Sequence, residues 1–245
     1  MKHVSLPILF LATLCHAQQT PCPKKNFLIG NSLTWDTIPG LLDDAPKWHV
    51  DCGVPLPYIY KNPSKPCVKT STVWPKALDS IQFDQISIQP HYGSTLESDF
   101  ETISKWIDTQ PSAVIIIHTG WAYHAEQQAE YKRSSHCGKM THNPSYFKDL
   151  LGKLRETHPG RTFKRTKAMD ILQLAQMDID NGKSPFKEVS ELYRDKIHMT
   201  HEGGRYLMHN AMRHALGQPF SSKGFEKTPT ELKAYLDTLL ERTFQ

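Results

Sequence analysis

The chain has 245 residues, of which 38% are hydrophobic, 22% charged and 10% aromatic, enough for one sizeable core and too apolar for a disordered chain. Lys and Arg number 29 against 25 Asp and Glu, a formal net charge of +4 with no long basic run, which excludes the clustered footprint that binds nucleic acid. A mean hydropathy of −0.51, with a single apolar run at the N-terminus, excludes a protein that crosses a membrane many times.

Residues 1–17, MKHVSLPILFLATLCHA, open with Lys2 and His3 and continue as an apolar run from Val4 to Leu14, too short to span a bilayer. Cys15 and Ala17 supply small residues ahead of a cleavage site, whereas Leu14 before Cys15 does not suit a lipid anchor. A signal peptide is the expectation, with a buried strand or helix as the alternative. It implies an exported protein, secreted or periplasmic, without stable membrane insertion and with one domain over residues 18–245. Cleavage leaves Cys22, Cys52, Cys67 and Cys137 in an oxidising compartment. Cys52–Cys67 is the expected disulfide, with Cys22 and Cys137 left over, although all three connectivities remain open.

Short apolar runs alternate with helical periodicity, which is the pattern of an α/β fold around a mostly parallel sheet. Phe27–Ile29 is the first expected strand, ending in Gly30-Asn31-Ser32, and Ile38, Leu41 and Leu42 suggest a short helix after it. Trp48–Val50 reads as a second strand. Residues 54–72, with Pro55, Pro57, Pro63 and Pro66, read as an irregular loop stapled by Cys52 and Cys67. Gln85–Gln89 is a third strand and Val114–Ile117 a fourth. Between them, Ser94 to Glu97 has the spacing of a capping box, followed by Leu96, Phe100, Ile103 and Ile107 on one helical face. Residues 121–142 are polar, histidine-rich and aperiodic, and suggest a surface insertion. Asn143-Pro144 caps a helix that buries Phe147, Leu150, Leu151 and Leu154, and Thr228 to Glu231 caps a last one carrying Leu232, Tyr235, Leu236, Leu239 and Leu240.

Two stretches carry candidate chemistry. In Phe27-Leu-Ile-Gly-Asn-Ser32-Leu-Thr34, a serine follows a strand and precedes a helix, at the sheet edge where open α/β folds bind ligands. Backbone N–H groups after such a turn face any oxyanion formed on the serine. An ordinary turn is the competing reading, because Gly, Asn and Ser are common there. In Tyr193-Arg-Asp195-Lys-Ile-His198-Met-Thr200, a carboxylate precedes a histidine by three residues. That histidine can take the proton of a serine hydroxyl while the carboxylate fixes its tautomer. A solvated pair at a helix start is the alternative. Thr200 caps the following helix, with Leu207, Ala211, Ala215 and Leu216 as apolar positions and Gly217 as its stop.

Taken together, the two blocks resemble the SGNH (GDSL-type) hydrolase family, in a divergent form. The resemblance follows the order of elements over most of the chain, but residue identity only in these blocks. It implies a flavodoxin-like three-layer α/β/α fold with a mostly parallel central sheet, and a triad of Ser32, His198 and Asp195. The usual Gly-Asp-Ser is Gly-Asn-Ser here. Gly53 stands where the family places an oxyanion-hole glycine, with the N–H of Ser32 beside it. The third block normally holds Gly-x-Asn-Asp, but this chain reads Gln89-Pro-His91-Tyr92-Gly93, where His91 or Tyr92 could donate instead. Asn31, Tyr92 and Trp121 are candidate substrate contacts, and Trp74, Tyr123 and Tyr131 are further aromatics that could stack on a sugar.

The activity implied is a serine esterase acting without a cofactor or metal on a small ester, a carbohydrate ester being the preferred class. A non-catalytic carbohydrate- or lipid-binding protein on the same fold is the first rival. A metal-dependent hydrolase using His118, His124 or His201 is the second. No G-x-S-x-G elbow, P-loop, dinucleotide fingerprint or His-Glu-x-x-His occurs.

Overall fold

The computed structural model describes residues 22–245, so the expected signal peptide lies outside the described residues. Five parallel strands form one sheet: β1 (Asn26–Gly30), β2 (Lys47–Val50), β3 (Gln85–Ile88), β4 (Val114–Ile117) and β5 (Phe163–Arg165). Their order is β2-β1-β3-β4-β5, the doubly wound flavodoxin-like order. β1 and β3 are buried along their whole length, as expected where helices cover both faces of a parallel sheet. Alternation along β1 divides the layers. Leu28 packs with Ile116 and with Met212, Ala215 and Leu216, whereas Phe27 and Ile29 join the cluster holding Ile103 and Trp106. The three-layer α/β/α expectation is met.

The chain leaves β1 in one direction to reach β2 and in the other to reach β3. A crevice therefore opens at the carboxyl ends of these strands. Helix α1 (Ser32–Asp36) starts directly beyond β1, capped by Asn31, whose side chain accepts from the Leu33 N–H at 3.0 Å. The helix expected near residues 38–42 is only a single 3-10 turn, Pro39–Leu41, entered through Ile38 at φ 51°. Pro39 disfavours the ordinary helical conformation for the residue before it. Within the proline-rich loop, α2 (Leu56–Lys61) buries Leu56 and Ile59. Pro55 is its N-cap and Pro57 lies in its first turn, where a missing N–H costs nothing, so proline content misleads there. Cys52 and Cys67 are disulfide-bonded as expected, and Cys22 and Cys137 are free and exposed.

Helix α3 (Trp74–Ser80) precedes β3, and α4 (Leu96–Thr109) follows it. The cap of α4 is one residue later than expected: Thr95 and Ser98 form the reciprocal box. Ser94 instead directs its hydroxyl to Asp99 Oδ2 at 2.6 Å and the His91 carbonyl at 2.7 Å. The segment expected as a surface insertion is a packed lobe. Trp121, Ala122, Met140 and His142 are buried, and a short helix α5 (Gln127–Tyr131) buries Gln127, Glu130 and Tyr131. Next come α6 (Pro144–Thr157), capped by Asn143 with its four expected apolar residues buried, and α7 (Ala168–Asp180). Last are α8 (Tyr206–Ala215) and α9 (Thr230–Phe244). Helix α9 follows Pro229 without a side-chain cap, so the expected Thr228 cap does not form.

Candidate active site

The site is assembled from segments far apart in sequence. Ser32 is the first residue of α1, and the sharp turn before it depends on Gly30. A Cβ on Gly30 would collide with the Thr34 hydroxyl and crowd the Gln89 side chain. From the other end of the chain, Tyr193 and Met199 pair in an isolated antiparallel bridge, and the Arg194 N–H donates to the His198 carbonyl at 2.8 Å. The loop between them holds Asp195 and His198. Thr200 ends the loop and caps the next turn by accepting from the Gly204 N–H at 3.2 Å. Gly204 lets that turn press against the loop, because a Cβ there would strike the Leu192 carbonyl.

These two parts meet. His198 Nε2 lies 3.0 Å from Ser32 Oγ, and its Nδ1 lies 2.9 Å from Asp195 Oδ2. Asp195 Oδ1 also accepts from the backbone N–H groups of Ile197 (2.9 Å) and His198 (2.8 Å). Slight burial opposes ionisation of Asp195, but those two N–H groups and the imidazole outweigh it and hold the carboxyl down at about 2. An ionised carboxylate thus holds Nδ1–H, which leaves the Nε2 lone pair directed at the serine hydroxyl. This geometry permits proton transfer from Oγ to Nε2 as the oxygen attacks an electrophile.

Asp36, at the far end of α1, aligns the two halves. It is fully buried and accepts from the Met199 N–H at 2.8 Å, Arg205 Nε at 2.9 Å and Arg194 Nη1 at 3.2 Å. Met199 directly follows His198. One carboxylate therefore fixes the helix of the serine to the loop of the histidine.

A cleft of about 190 Å³ opens beside Ser32, lined also by Asn31, Leu33, Gly53, Gln89, His91, Tyr92, Tyr123, His142 and His198. Ser32 N–H, at the helix start, and Gly53 N–H, at φ 68°, make no backbone hydrogen bond among the described residues. His91 lies half-buried on the cleft wall, and burial pushes its imidazole pKa down, so the ring is neutral. Tyr92 and Tyr123 form an exposed aromatic rim, with ring centroids 6.0 Å apart at 83° and exposures of 42% and 38%. Tyr92 also stacks over His142, which is buried against Glu130. The pair resolves with Glu130 ionised, held down by hydrogen bonds from His142 against the effect of burial, and His142 neutral because it is buried.

Other sequence expectations need correction. Trp121 is fully buried and donates from Nε1 to the Ile197 carbonyl at 2.6 Å, so it supports the loop of Asp195 and His198 from inside and is not exposed to a substrate. Trp74 and Tyr131 are likewise buried, which leaves Tyr123 as the one aromatic of that group on the cleft. Asn31 borders the cleft, but its side-chain oxygen is engaged in capping. His118 is buried against Thr166, His201 packs on Phe225, and among the described residues no three His, Cys, Asp or Glu side chains converge as a metal-binding group. The sequence reading missed Asp36 and Gln89. Asp36 had a detectable signal, since an acid four residues after Ser32 ends the same short helix.

No protein-family model matches the sequence, and no curated protein matches it. Solved structures do match in fold. A member of the lipolytic protein G-D-S-L family from Veillonella parvula aligns at a TM-score of 0.50 and 12% identity, over 80% of this chain and 99% of that one. The chain shares the fold of a G-D-S-L protein. A GDSL-like protein from Parabacteroides merdae aligns at 0.46 and 14% identity, over 80% and 96% of the two chains. The fold that the two short blocks imply is the fold observed here.

Proposed function

We propose that this protein is a serine hydrolase that cleaves carboxylic esters, with Ser32 as nucleophile, His198 as general base and then acid, and Asp195 as the group that orients it. One observation carries the reading: an unbroken Asp195–His198–Ser32 relay at hydrogen-bond distances, closed between residues 166 positions apart. A solvated Asp–His pair at a helix start would have no reason to meet a serine at the opposite end of the chain.

In the acylation step Ser32 Oγ bonds to the ester carbon as its proton passes to His198 Nε2. The carbonyl oxygen becomes anionic beside the Ser32 and Gly53 N–H groups. Collapse expels the alcohol, which takes the proton from His198. Water, deprotonated in turn by His198, releases the acid. His91 remains a further candidate donor on the wall.

A carbohydrate ester is the substrate class we favour, because Tyr92 and Tyr123 expose ring surface next to Ser32 on which a sugar could stack. Export is part of the proposal: residues 1–17 have signal-peptide character and the Cys52–Cys67 disulfide suits an oxidising compartment. No helix among the described residues is long and apolar enough to cross a membrane.

The test is hydrolysis of a small activated acetate by the wild type and by Ser32→Ala. The expected loss in kcat is at least about 10³-fold. Unchanged turnover in the variant would refute the proposal.

A further inference from the structure

We propose that the side-chain amide of Gln89 is a catalytic residue, the side-chain donor that stabilises the oxyanion. The proposal rests on the reading of Ser32 as nucleophile. Gln89 directly follows β3, at the carboxyl edge of the sheet, and its backbone N–H continues the strand pairing to the Ile29 carbonyl at 3.0 Å. Its side chain is 1% exposed and borders the same cleft as Ser32 and Gly53.

The two ends of this amide are in different situations. Oε1 accepts from the Thr34 hydroxyl at 2.7 Å, the Thr34 N–H at 2.8 Å and the Asn31 N–H at 3.3 Å. Asn31 and Thr34 flank Ser32, so the amide is tied to the turn that carries the nucleophile. Because three donors fix the oxygen on that side, Nε2 must occupy the other. Nε2 is buried and has no hydrogen-bond partner. Among the described residues only Gln89 Nε2 and His142 Nδ1 are unpaired buried side-chain atoms of residues that line this cleft, and an unpaired buried donor calls for an explanation. Here an acceptor supplied by the substrate provides it. At Gly120, φ +60°, a Cβ would sit 3.3 Å from Nε2, so glycine leaves that end of the amide uncrowded.

The acceptor forms during the reaction. As the Ser32 Oγ–carbon bond closes, the carbonyl π pair moves onto oxygen and the proton goes to His198. An N–H already fixed beside that oxygen gains most when the charge is largest, which is the requirement for lowering the barrier. His91 lies on the same wall, but no side-chain hydrogen bond among the described residues fixes its ring. Gln89 is fixed by three.

Gln89→Glu is the discriminating variant, since it keeps an oxygen for Thr34 and Asn31 and removes the N–H. The expected result is a fall in kcat of about 10²–10³-fold with little change in KM, and a matching loss of affinity for a boronic acid that forms an anionic tetrahedral adduct on serine. If Gln89 only anchored the turn, Gln89→Glu would be near normal and only Gln89→Met, which lacks both functions, would be impaired. Normal kcat in folded Gln89→Glu overturns the proposal. If that variant does not fold, normal kcat in folded Gln89→Met overturns it. Ser32→Ala run in parallel separates the two readings. Its loss of activity beside a normal Gln89→Glu rejects Gln89 alone, and retained activity in Ser32→Ala rejects both.

Discussion

Replacing Asp36 should damage stability and turnover together. Its carboxylate is 0% exposed, while the side chains of its partners Arg194 and Arg205 are 41% and 20% exposed. Removing one partner of a fully buried ion pair costs about 3–5 kcal/mol, because a charge is left uncompensated. Here the guanidinium groups keep part of their hydration, so we expect Asp36→Ala to lose about 2–3 kcal/mol. Asp36→Asn keeps the volume but loses the charge, and turns one acceptor edge into a donor that faces other donors. It should lose about 1–2 kcal/mol. The catalytic effect follows from position. Met199 N–H donates to Asp36 at 2.8 Å, and a shift of the adjacent His198 would lengthen its 3.0 Å contact with Ser32. A misplacement of about 1 Å costs on the order of 10²-fold in rate. Urea unfolding read by fluorescence gives the stability, and initial rates on a small acetate ester give kcat. Native stability and native kcat in Asp36→Asn would refute the reasoning. Lost stability with native kcat would show that Asp36 supports the fold without aligning the triad.

Two further outcomes are expected. Burial raises the Asp99 carboxyl to about 6 against hydrogen bonds from Ser94 and Tyr146 that favour its ionised form. The folded chain therefore holds a proton that the unfolded chain releases near 3.8, and stability should fall by roughly 3 kcal/mol as pH rises through that window to about 6. Asp99→Asn should flatten this slope in pH-dependent urea melts, and an unchanged slope would contradict the assignment. Gly204→Ala forces a methyl group against the Leu192 carbonyl, and should lower stability by about 1–3 kcal/mol in the same melts. A neutral effect would mean that the turn after Thr200 can shift without cost.

Much of the architecture was legible because its signals are local. β1 and β4 contain short apolar runs, β3 carries Ile86 and Ile88, and Asn143-Pro144 has the cap and first-turn proline of a helix start. Elements without local signals escaped. β5 buries only Phe163 of its three residues, and α7 follows Lys167, which makes no side-chain cap. The polar composition of residues 121–142 suggested a surface loop, but Glu130 accepts from the His142 backbone N–H and lies against its ring, and the two are buried together. Ser32, Asp195 and His198 were legible as candidates because each block carries its own pattern. Gln89 was not, because its significance depends on Thr34 and Asn31 fixing one end of an amide. That relation exists only once β1 and β3 lie side by side.

The central claim is that Ser32 is an activated nucleophile, and covalent labelling tests it most directly. Folded protein lacking residues 1–17 would be treated with a fluorophosphonate and the modified residue mapped by mass spectrometry. The expected result is stoichiometric labelling at Ser32 that His198→Ala abolishes. Absence of labelling at Ser32, or labelling that persists unchanged in His198→Ala, would contradict the account.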